Sequence, residues 1–478
     1  MKILIAGAEG VPFSSSGGLG DVMGSLPAAV KKSMNKHDDI RVVLPLHKST
    51  KEKFLDKMTF LKKIDVSLAW RKQYCGIYEL NHNGVIYYFI DNEYYFNRDE
   101  LYGNYDDAER YAFFCKAVLD LMKAVDYYPD LLHANDWHTA LSVVYLKCVY
   151  NKYPKYQNIR ALYTIHNVDY QGIYDFSIVG DVLDLSDCDR GILEYDGNIN
   201  LTKAAIVCAD KVSTVSERYS RELLYEYFSK SLYHIIQRYS FKMCGIVNGI
   251  DTDYYNPAKD ESIFKKYDSK HLKGKKECKK AFQSEYGLEV DENKPVVAVI
   301  SRLASHKGLD LIKCVFDEML SEDIQFVLLG KGEADYEAFF RNEMYKNRPN
   351  VRIILDYDKE LSKKIYSAAD IFLMPSKSEP CGLAQMIASR YGAVPLVREV
   401  GGLSDTIKPY NPMDERTNGF SFKNYNAHDM LNTLKFALSV YKREDEWKKL
   451  VAVCMNKDFS WDKSAERYIE LYKEIISL

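Results

Sequence analysis

Short apolar runs rich in Val, Ile and Leu recur along this chain, separated by longer segments whose apolar residues fall three and four positions apart. In the first half they are Lys2–Ala8, Ile40–Pro45, Val85–Ile90, Leu131–Ala134, Ile159–Ile165 and Lys211–Val215. Runs without polar alternation predict strands covered on both faces, and helical patterns between them predict βαβ units with a parallel sheet. A second series follows at Val296–Ile300, Gln325–Leu329, Val351–Leu355, Ile371–Met374 and Val394–Val397, predicting a second doubly wound sheet. Between the two series the chain is less regular through Gly245–Asp251. A lysine-rich stretch then runs over Lys259–Lys280, predicting a solvated surface and helix at an interdomain hinge. The last segment, Trp461–Leu478, repeats apolar residues at Ala465, Tyr468, Leu471, Tyr472 and Ile475, a helical face that suits packing on either domain. No internal repeat, low-complexity tract or heptad series interrupts this α/β pattern.

Composition narrows the picture. At 478 residues the chain exceeds what one hydrophobic core organises, so two domains are expected. A formal charge of −3 gives no reason to expect nucleic acid or an anionic membrane as partner, so any anion site must be local. Lys2–Ala8 is too short for a membrane span or signal core and passes directly into a glycine loop, which points to a cytoplasmic protein. The 10 cysteines show no C-x-x-C pair, as expected of reduced thiols. Tyrosine is abundant, with 38 residues and doublets such as Tyr94-Tyr95 and Tyr254-Tyr255; these are stacking platforms for sugars or bases, or a compositional bias.

Ligands of doubly wound sheets sit beyond the carboxyl ends of the strands, and here those ends are polar and glycine-rich. Ser15-Ser16-Gly17-Gly18-Leu19-Gly20-Asp21-Val22 follows the first run and opens a helical segment. It reads as a phosphate cradle, in which glycines let N–H groups approach an anion at a helix start, or as a tight strand-to-helix turn. Arg302 and Lys307 follow a predicted buried strand and suit a diphosphate whose charge grows as it leaves; an ordinary charged loop is the alternative. Ser378–Leu383 is expected to put Glu379 at a helix N-terminus, to accept sugar hydroxyls or merely to cap. Gly401 and Gly402 repeat the paired-glycine device and are expected to offer N–H groups to the anion. His133, Asp136, His138 and His166 lack zinc spacing and no cysteine joins them, so a metal is rejected. Asp136, His166 and Asn167 instead suit sugar hydroxyls, with Trp137 a core residue.

Motifs in order along the chain carry a resemblance: Glu9, Gly17-Gly18-Leu19, Asp21-Val22, His133-Ala134-Asn135-Asp136-Trp137-His138, Thr164-Ile165-His166-Asn167 and Val247-Asn248-Gly249-Ile250-Asp251 in the first part. Ser301-Arg302-Leu303, Lys307-Gly308-Leu309-Asp310, Glu379-Pro380-Cys381-Gly382-Leu383 and Gly401-Gly402-Leu403 follow. Nearly end to end, the chain resembles the bacterial glycogen and plant starch synthases, retaining glucosyltransferases of glycosyltransferase family 5. The resemblance implies a GT-B fold, two Rossmann-like domains facing across a deep cleft. It divides the chain into an acceptor-side domain over residues 1–245, a nucleotide-sugar donor domain over 246–457, and a terminal helix over 458–478 that crosses back to the first domain.

The implied reaction moves glucose from a nucleoside diphosphate glucose to the non-reducing end of an α-1,4-glucan such as glycogen, starch or a maltooligosaccharide, with no metal and no cofactor. Carried over residue by residue, the resemblance makes Arg302 and Lys307 the leaving-group clamp, Glu379 and His166 the hold on the glucosyl unit, and Asp136 a neighbour of donor and acceptor. Ser15, Gly17, Gly18, Asn248, Tyr357, Cys381, Gly382, Leu383, Gly401 and Gly402 fall on the donor side, with Tyr357 stacking on the base. Glu9, Asp21, Tyr105 and Asn167 fall on the acceptor side. The chain departs from the family pattern at three donor positions: Ser15 stands for lysine, Val400 for threonine and His306 for glutamine. ADP-glucose is the favoured donor and UDP-glucose the other. A non-catalytic paralogue that binds glucan or nucleotide, and a related transferase with another acceptor, are the alternative readings.

Overall fold

The computed structural model describes residues 1–186, 189–342, 345 and 348–478. The chain divides into two compact units, Met1–Asn248 with Trp461–Leu478, and Gly249–Ser460.

In the first unit the strands are β1 (Lys2–Ala6), β2 (Asp39–Pro45), β3 (Thr59–Leu68), β4 (Arg71–His82), β5 (Val85–Asp91), β6 (Leu131–Asn135), β7 (Arg160–Ile165), β8 (Ile173–Tyr174), β9 (Glu194–Tyr195), β10 (Asn198–Asn200), β11 (Lys211–Thr214) and β12 (Met243–Gly245). Among the described residues they form a 9-stranded sheet in the order β12-β11-β7-β6-β1-β2-β5-β4-β3 and a separate 3-stranded sheet, β8-β10-β9. From β12 to β5 all pairs are parallel, as the continuous apolar runs predict. The far edge differs: β3 and β4 form an antiparallel ribbon that the sequence reading missed. The small sheet and β12 were likewise unforeseen.

The second unit contains β13 (Val296–Ile300), β14 (Gln325–Leu329), β15 (Val351–Ile354), β16 (Ile371–Met374), β17 (Val394–Arg398) and β18 (Phe420–Phe422). Among the described residues their order is β15-β14-β13-β16-β17-β18, and every pair is parallel. Both sheets therefore reverse direction of travel once, between β1 and β6 in the first and between β13 and β16 in the second. Parallel strands leave such switch points with their following loops diverging to opposite faces, which opens a crevice for ligand at the carboxyl ends.

The terminal helix, Trp461–Ile476, belongs to the first unit. Its buried face, Trp461, Ala465, Tyr468, Tyr472 and Ile475, joins the first unit's core beside the Gly18–Ser33 helix, and Lys32 and Lys211 pair with Asp462 and Glu474 on its flanks. The lysine-rich stretch corrects an expectation: it lies inside the second unit, and part of it is core. Within the Lys273–Glu285 helix the Lys275 ammonium is buried and donates to the carbonyls of Ala369, Tyr391 and Ser367 at 2.8, 3.0 and 3.2 Å. Burial pushes Lys275 down to about 8. Lys279, also buried, pairs with Asp370 at 2.7 Å. Lysine on a helix can thus tie the ends of β16 and its neighbours together through carbonyls, a role that composition does not reveal. No helix among the described residues is long and apolar enough to cross a membrane.

Candidate functional site

In the first unit, the loops after β1, β6 and β7 hold the predicted residues around the β1/β6 switch point. Ser15, Ser16, Gly17 and Gly18 are exposed, and the Gly18–Ser33 helix starts immediately after Gly17. Glu9, expected on the acceptor side, has no exposed surface; its carboxylate accepts the Ser16 N–H and hydroxyl, each at 2.7 Å, and the Gly20 N–H at 2.9 Å. It braces the loop from beneath and takes up two of the N–H groups that the phosphate reading counted on. Burial raises the Glu9 carboxyl, which lowers the negative charge standing under any bound anion. The cradle that remains consists of the Gly17 and Gly18 N–H groups and the helix start. A Cβ added at either glycine meets nothing within 4 Å, so these glycines answer no packing need of the chain itself.

Asp136 follows β6 with a left-handed backbone, φ 58°, and is buried. Its carboxylate accepts the His166 N–H at 2.7 Å and also the Asn167 N–H, tying the loop after β7 to the loop after β6. Burial pushes that carboxyl up to about 7 and pushes the His166 imidazole down to about 3, so His166 is neutral. The Asn167 side chain caps its own turn, accepting the Asp169 N–H at 3.0 Å. Trp137 is buried, as a core residue should be, with the His138 ring 4.0 Å away. Asn248, the last residue of the unit's first segment, has a buried side-chain oxygen without a partner among the described residues. Asp21 lies in the first turn of its helix, close enough to Glu9 to raise it further. Tyr105 is 92% exposed.

In the second unit the loops after β13 and β16 meet at the other switch point. Lys307 and Glu379 pair at 2.7 Å, and the same carboxylate oxygen accepts the Ser376 hydroxyl at 3.0 Å. Ser376 was not singled out from the sequence; it stands two residues ahead of the Ser378–Leu383 segment that was. Arg302 is exposed, and among the described residues its guanidinium has no carboxylate partner, which leaves its charge for an anion. Glu379 is not at a helix N-terminus: the helix starts at Ala384, with Leu383 as its cap. Gly382, at φ 73°, turns the loop between Glu379 and the helix, and a Cβ there would lie 3.1 Å from Glu379 Cγ.

The second glycine pair differs from the first. A Cβ on Gly401 would lie 2.0 Å from the Glu379 carbonyl and one on Gly402 2.1 Å from the Cys381 carbonyl. The Gly402 N–H already donates to Glu379 O and Pro380 O at 3.1 and 3.2 Å. Gly402 therefore holds the Glu379–Cys381 loop and its N–H is not available to an anion. Cys381, the end of that loop, is buried, and Tyr357, after β15, is 77% exposed. Among the described residues no group of three or more His, Cys, Asp or Glu side chains is arranged to hold a metal ion.

The family model described as starch synthase catalytic domain matches residues 2–238, and that described as glycosyl transferases group 1 matches residues 283–451. The chain is 44% identical over 478 residues to a glycogen synthase of Bacillus cereus, with both chains covered in full. It is also 44% identical over 479 residues to a glycogen synthase of Anoxybacillus flavithermus, covering 100% of this chain and 98% of that one. Among solved structures, the catalytic domain of starch synthase IV from Arabidopsis thaliana, bound to ADP and acarbose, superposes with a TM-score of 0.89 at 32% identity, covering 100% of this chain and 99% of that one. Sucrose-phosphate synthase from Thermosynechococcus elongatus shares the fold, with a TM-score of 0.61 at 17% identity and coverage of 100% and 99%.

Proposed function

The chain belongs to the family of glycogen and starch synthases and is a hexosyltransferase of GT-B fold, and from that premise we propose that it transfers glucose from ADP-glucose to the non-reducing 4-hydroxyl of an α-1,4-glucan with retention. The observation that carries the reading is the Lys307–Glu379 pair at the β13/β16 switch point, with the unpaired Arg302 on the same strand end. The second unit supplies the leaving-group clamp, Arg302 and Lys307.

In this reaction the bond from the anomeric carbon to the diphosphate oxygen breaks first, through an oxocarbenium-like transition state. Arg302 and Lys307 stabilise the charge growing on the departing diphosphate, an effect larger in the transition state than in the bound donor. Glu379 and His166 hold the hexose. The acceptor hydroxyl attacks on the face the diphosphate is leaving, and its proton passes to a phosphate oxygen, so configuration is retained without a protein base. Gly17 and Gly18 give N–H groups to the diphosphate, and Tyr357 stacks on the base.

The test is release of nucleoside diphosphate by the purified protein with a glycogen primer, ADP-glucose against UDP-glucose. Primer-dependent release of ADP is expected; silence with both donors would reject the reading in favour of a binding paralogue or another acceptor. The ADP carried by the Arabidopsis relative favours the adenine donor, whereas Ser15, His306 and Val400, which replace the family's usual residues, favour weighing UDP-glucose beside it. Ser15 is exposed, and its hydroxyl engages only the Gly17 carbonyl at 3.3 Å among the described residues. Ser15→Lys therefore adds a cation without displacing packing, and is expected to raise kcat/KM for ADP-glucose. A fall would mean that the loop is built around a different donor contact.

A further inference from the structure

Asn135, the last residue of β6, is 1% exposed, and its side-chain amide is oriented by its surroundings. The Nδ2 group faces two carbonyls, donating to Ala6 O at 3.1 Å and, more weakly, to His133 O at 3.4 Å. Carbonyls only accept, so nitrogen must point at them and Oδ1 must point the other way. Oδ1 lies 2.9 Å from His166 Nε2. An amide oxygen also only accepts, so Nε2 carries the hydrogen. In a neutral imidazole the other nitrogen, Nδ1, then holds a lone pair. No described residue is bonded to Nδ1, and the His166 side chain is only partly buried.

We propose that Asn135 is a positioning residue: it locks His166 in the Nε2–H tautomer so that Nδ1 accepts a hydrogen bond from a hydroxyl of the bound hexose. This rests on the glucosyltransferase reading for the ligand, but the tautomer itself follows from the chain's own hydrogen bonds. The backbone is fixed as well, because the His166 N–H is held by Asp136. The consequence is specificity: an acceptor nitrogen rewards a sugar that keeps a donating hydroxyl there and disfavours one that has lost it. The titratable group coupled to the imidazole is His133 from β6, pushed down to about 3 by burial, and the Asp136 carboxyl holds the His166 backbone N–H. The imidazole and His133 are both neutral at pH 7, and the Asp136 carboxyl engages the His166 backbone N–H and not Nε2, so a carboxylate placed at position 135 is the charge that acts directly on the ring.

That is what Asn135→Asp introduces. A carboxylate beside Nε2 favours the imidazolium, so the His166 pKa rises and, below it, Nδ1 becomes a donor and loses the hydroxyl. The experiment uses the full chain labelled with nitrogen-15 histidine, with the His166 signals assigned by their loss in His166→Gln. In the wild type at neutral pH, Nε2 is expected to show the shift of a protonated nitrogen and Nδ1 that of an unprotonated one. In Asn135→Asp, kcat at pH 7 is expected to fall by about tenfold to a hundredfold, the scale of a misplaced reacting group, and to recover as pH rises through the shifted His166 pKa. A wild-type spectrum with Nδ1 protonated overturns the proposal, and so does an Asn135→Asp profile that is lower at every pH but unchanged in shape. If Asn135→Asp does not fold, the wild-type spectrum alone decides. Absence of glucosyl transfer by the wild type with the Nε2–H tautomer intact would reject the function and leave the tautomer standing.

Discussion

Replacing Lys307 with alanine is expected to lower kcat by about 10²–10³-fold, the usual loss when one preorganised group facing developing charge is removed, with KM for the donor changed much less. In the resting protein the ammonium is held 2.7 Å from Glu379, with side-chain exposures of 16% and 8%. The pairing keeps the lysine in place before the diphosphate arrives, and when charge builds on the leaving group the ammonium is already oriented toward it. In Lys307→Ala the Glu379 carboxylate retains the Ser376 hydroxyl at 3.0 Å but faces no cation from this pair. Its remaining charge is then poorly compensated, so the variant is also expected to melt somewhat below the wild type. The double substitution Lys307→Ala with Glu379→Gln separates the two effects: removing the orphaned charge restores the melting temperature and leaves turnover low. Steady-state diphosphate release and a thermal melt read both. Unchanged turnover in Lys307→Ala would reject the leaving-group role, and recovery of turnover in the double variant would mean that the single variant had failed through its unpaired carboxylate alone.

What could be read in the sequence follows from which forces act locally. The buried parallel strands are legible because both of their faces are covered, so Val296–Ile300 or Ile371–Met374 is apolar throughout and needs no partner to be recognised. The β3–β4 ribbon is not legible. Thr59–Leu68 carries Lys62, Lys63 and Asp65 and leaves Phe60 and Leu61 exposed, so its strand character comes from pairing with Arg71–His82 rather than from burial. The loops at the strand ends were found because βα junctions carry chemistry, but what each side chain does there depends on partners distant in sequence. Glu9 looked like a ligand residue and proves to be a brace for its own loop. Glu379 looked like a helix cap, and the helix starts five residues later because the Gly382 turn intervenes. Lys275 looked like surface, yet it is surrounded by carbonyls contributed by residues about a hundred positions on. Asn135 stood inside a recognised motif with no assigned role; only its distances to Ala6, His133 and His166 give it one.

The two glycine pairs make the same point in a form that can be measured, because Gly17-Gly18-Leu19 and Gly401-Gly402-Leu403 are the same tripeptide in sequence and opposite in structure. Gly17 is extended and Gly18 opens a helix, both with open space where a Cβ would stand. Alanine at either position removes conformational freedom from the unfolded chain and, at Gly18, adds helix propensity; each effect is worth up to about 1 kcal/mol in favour of the fold. Gly17→Ala and Gly18→Ala are therefore expected to melt at or slightly above the wild-type temperature. Their methyl groups nevertheless enter the space that a diphosphate needs in order to reach the loop N–H groups, so kcat/KM for the donor is expected to fall about tenfold or more, as when donors to a developing anion are lost. Gly402→Ala behaves in the reverse order. Its methyl meets the Cys381 carbonyl at 2.1 Å, a backbone atom that cannot swing away. Overpacking of that kind costs about 1–3 kcal/mol or more, so the melting temperature drops, and activity falls with it because the displaced loop carries Glu379. Thermal melts beside donor kinetics on the three variants distinguish the cases. A stable Gly18→Ala with full activity would leave the first pair without a ligand role, and a Gly402→Ala as stable as the wild type would remove the packing explanation of the second.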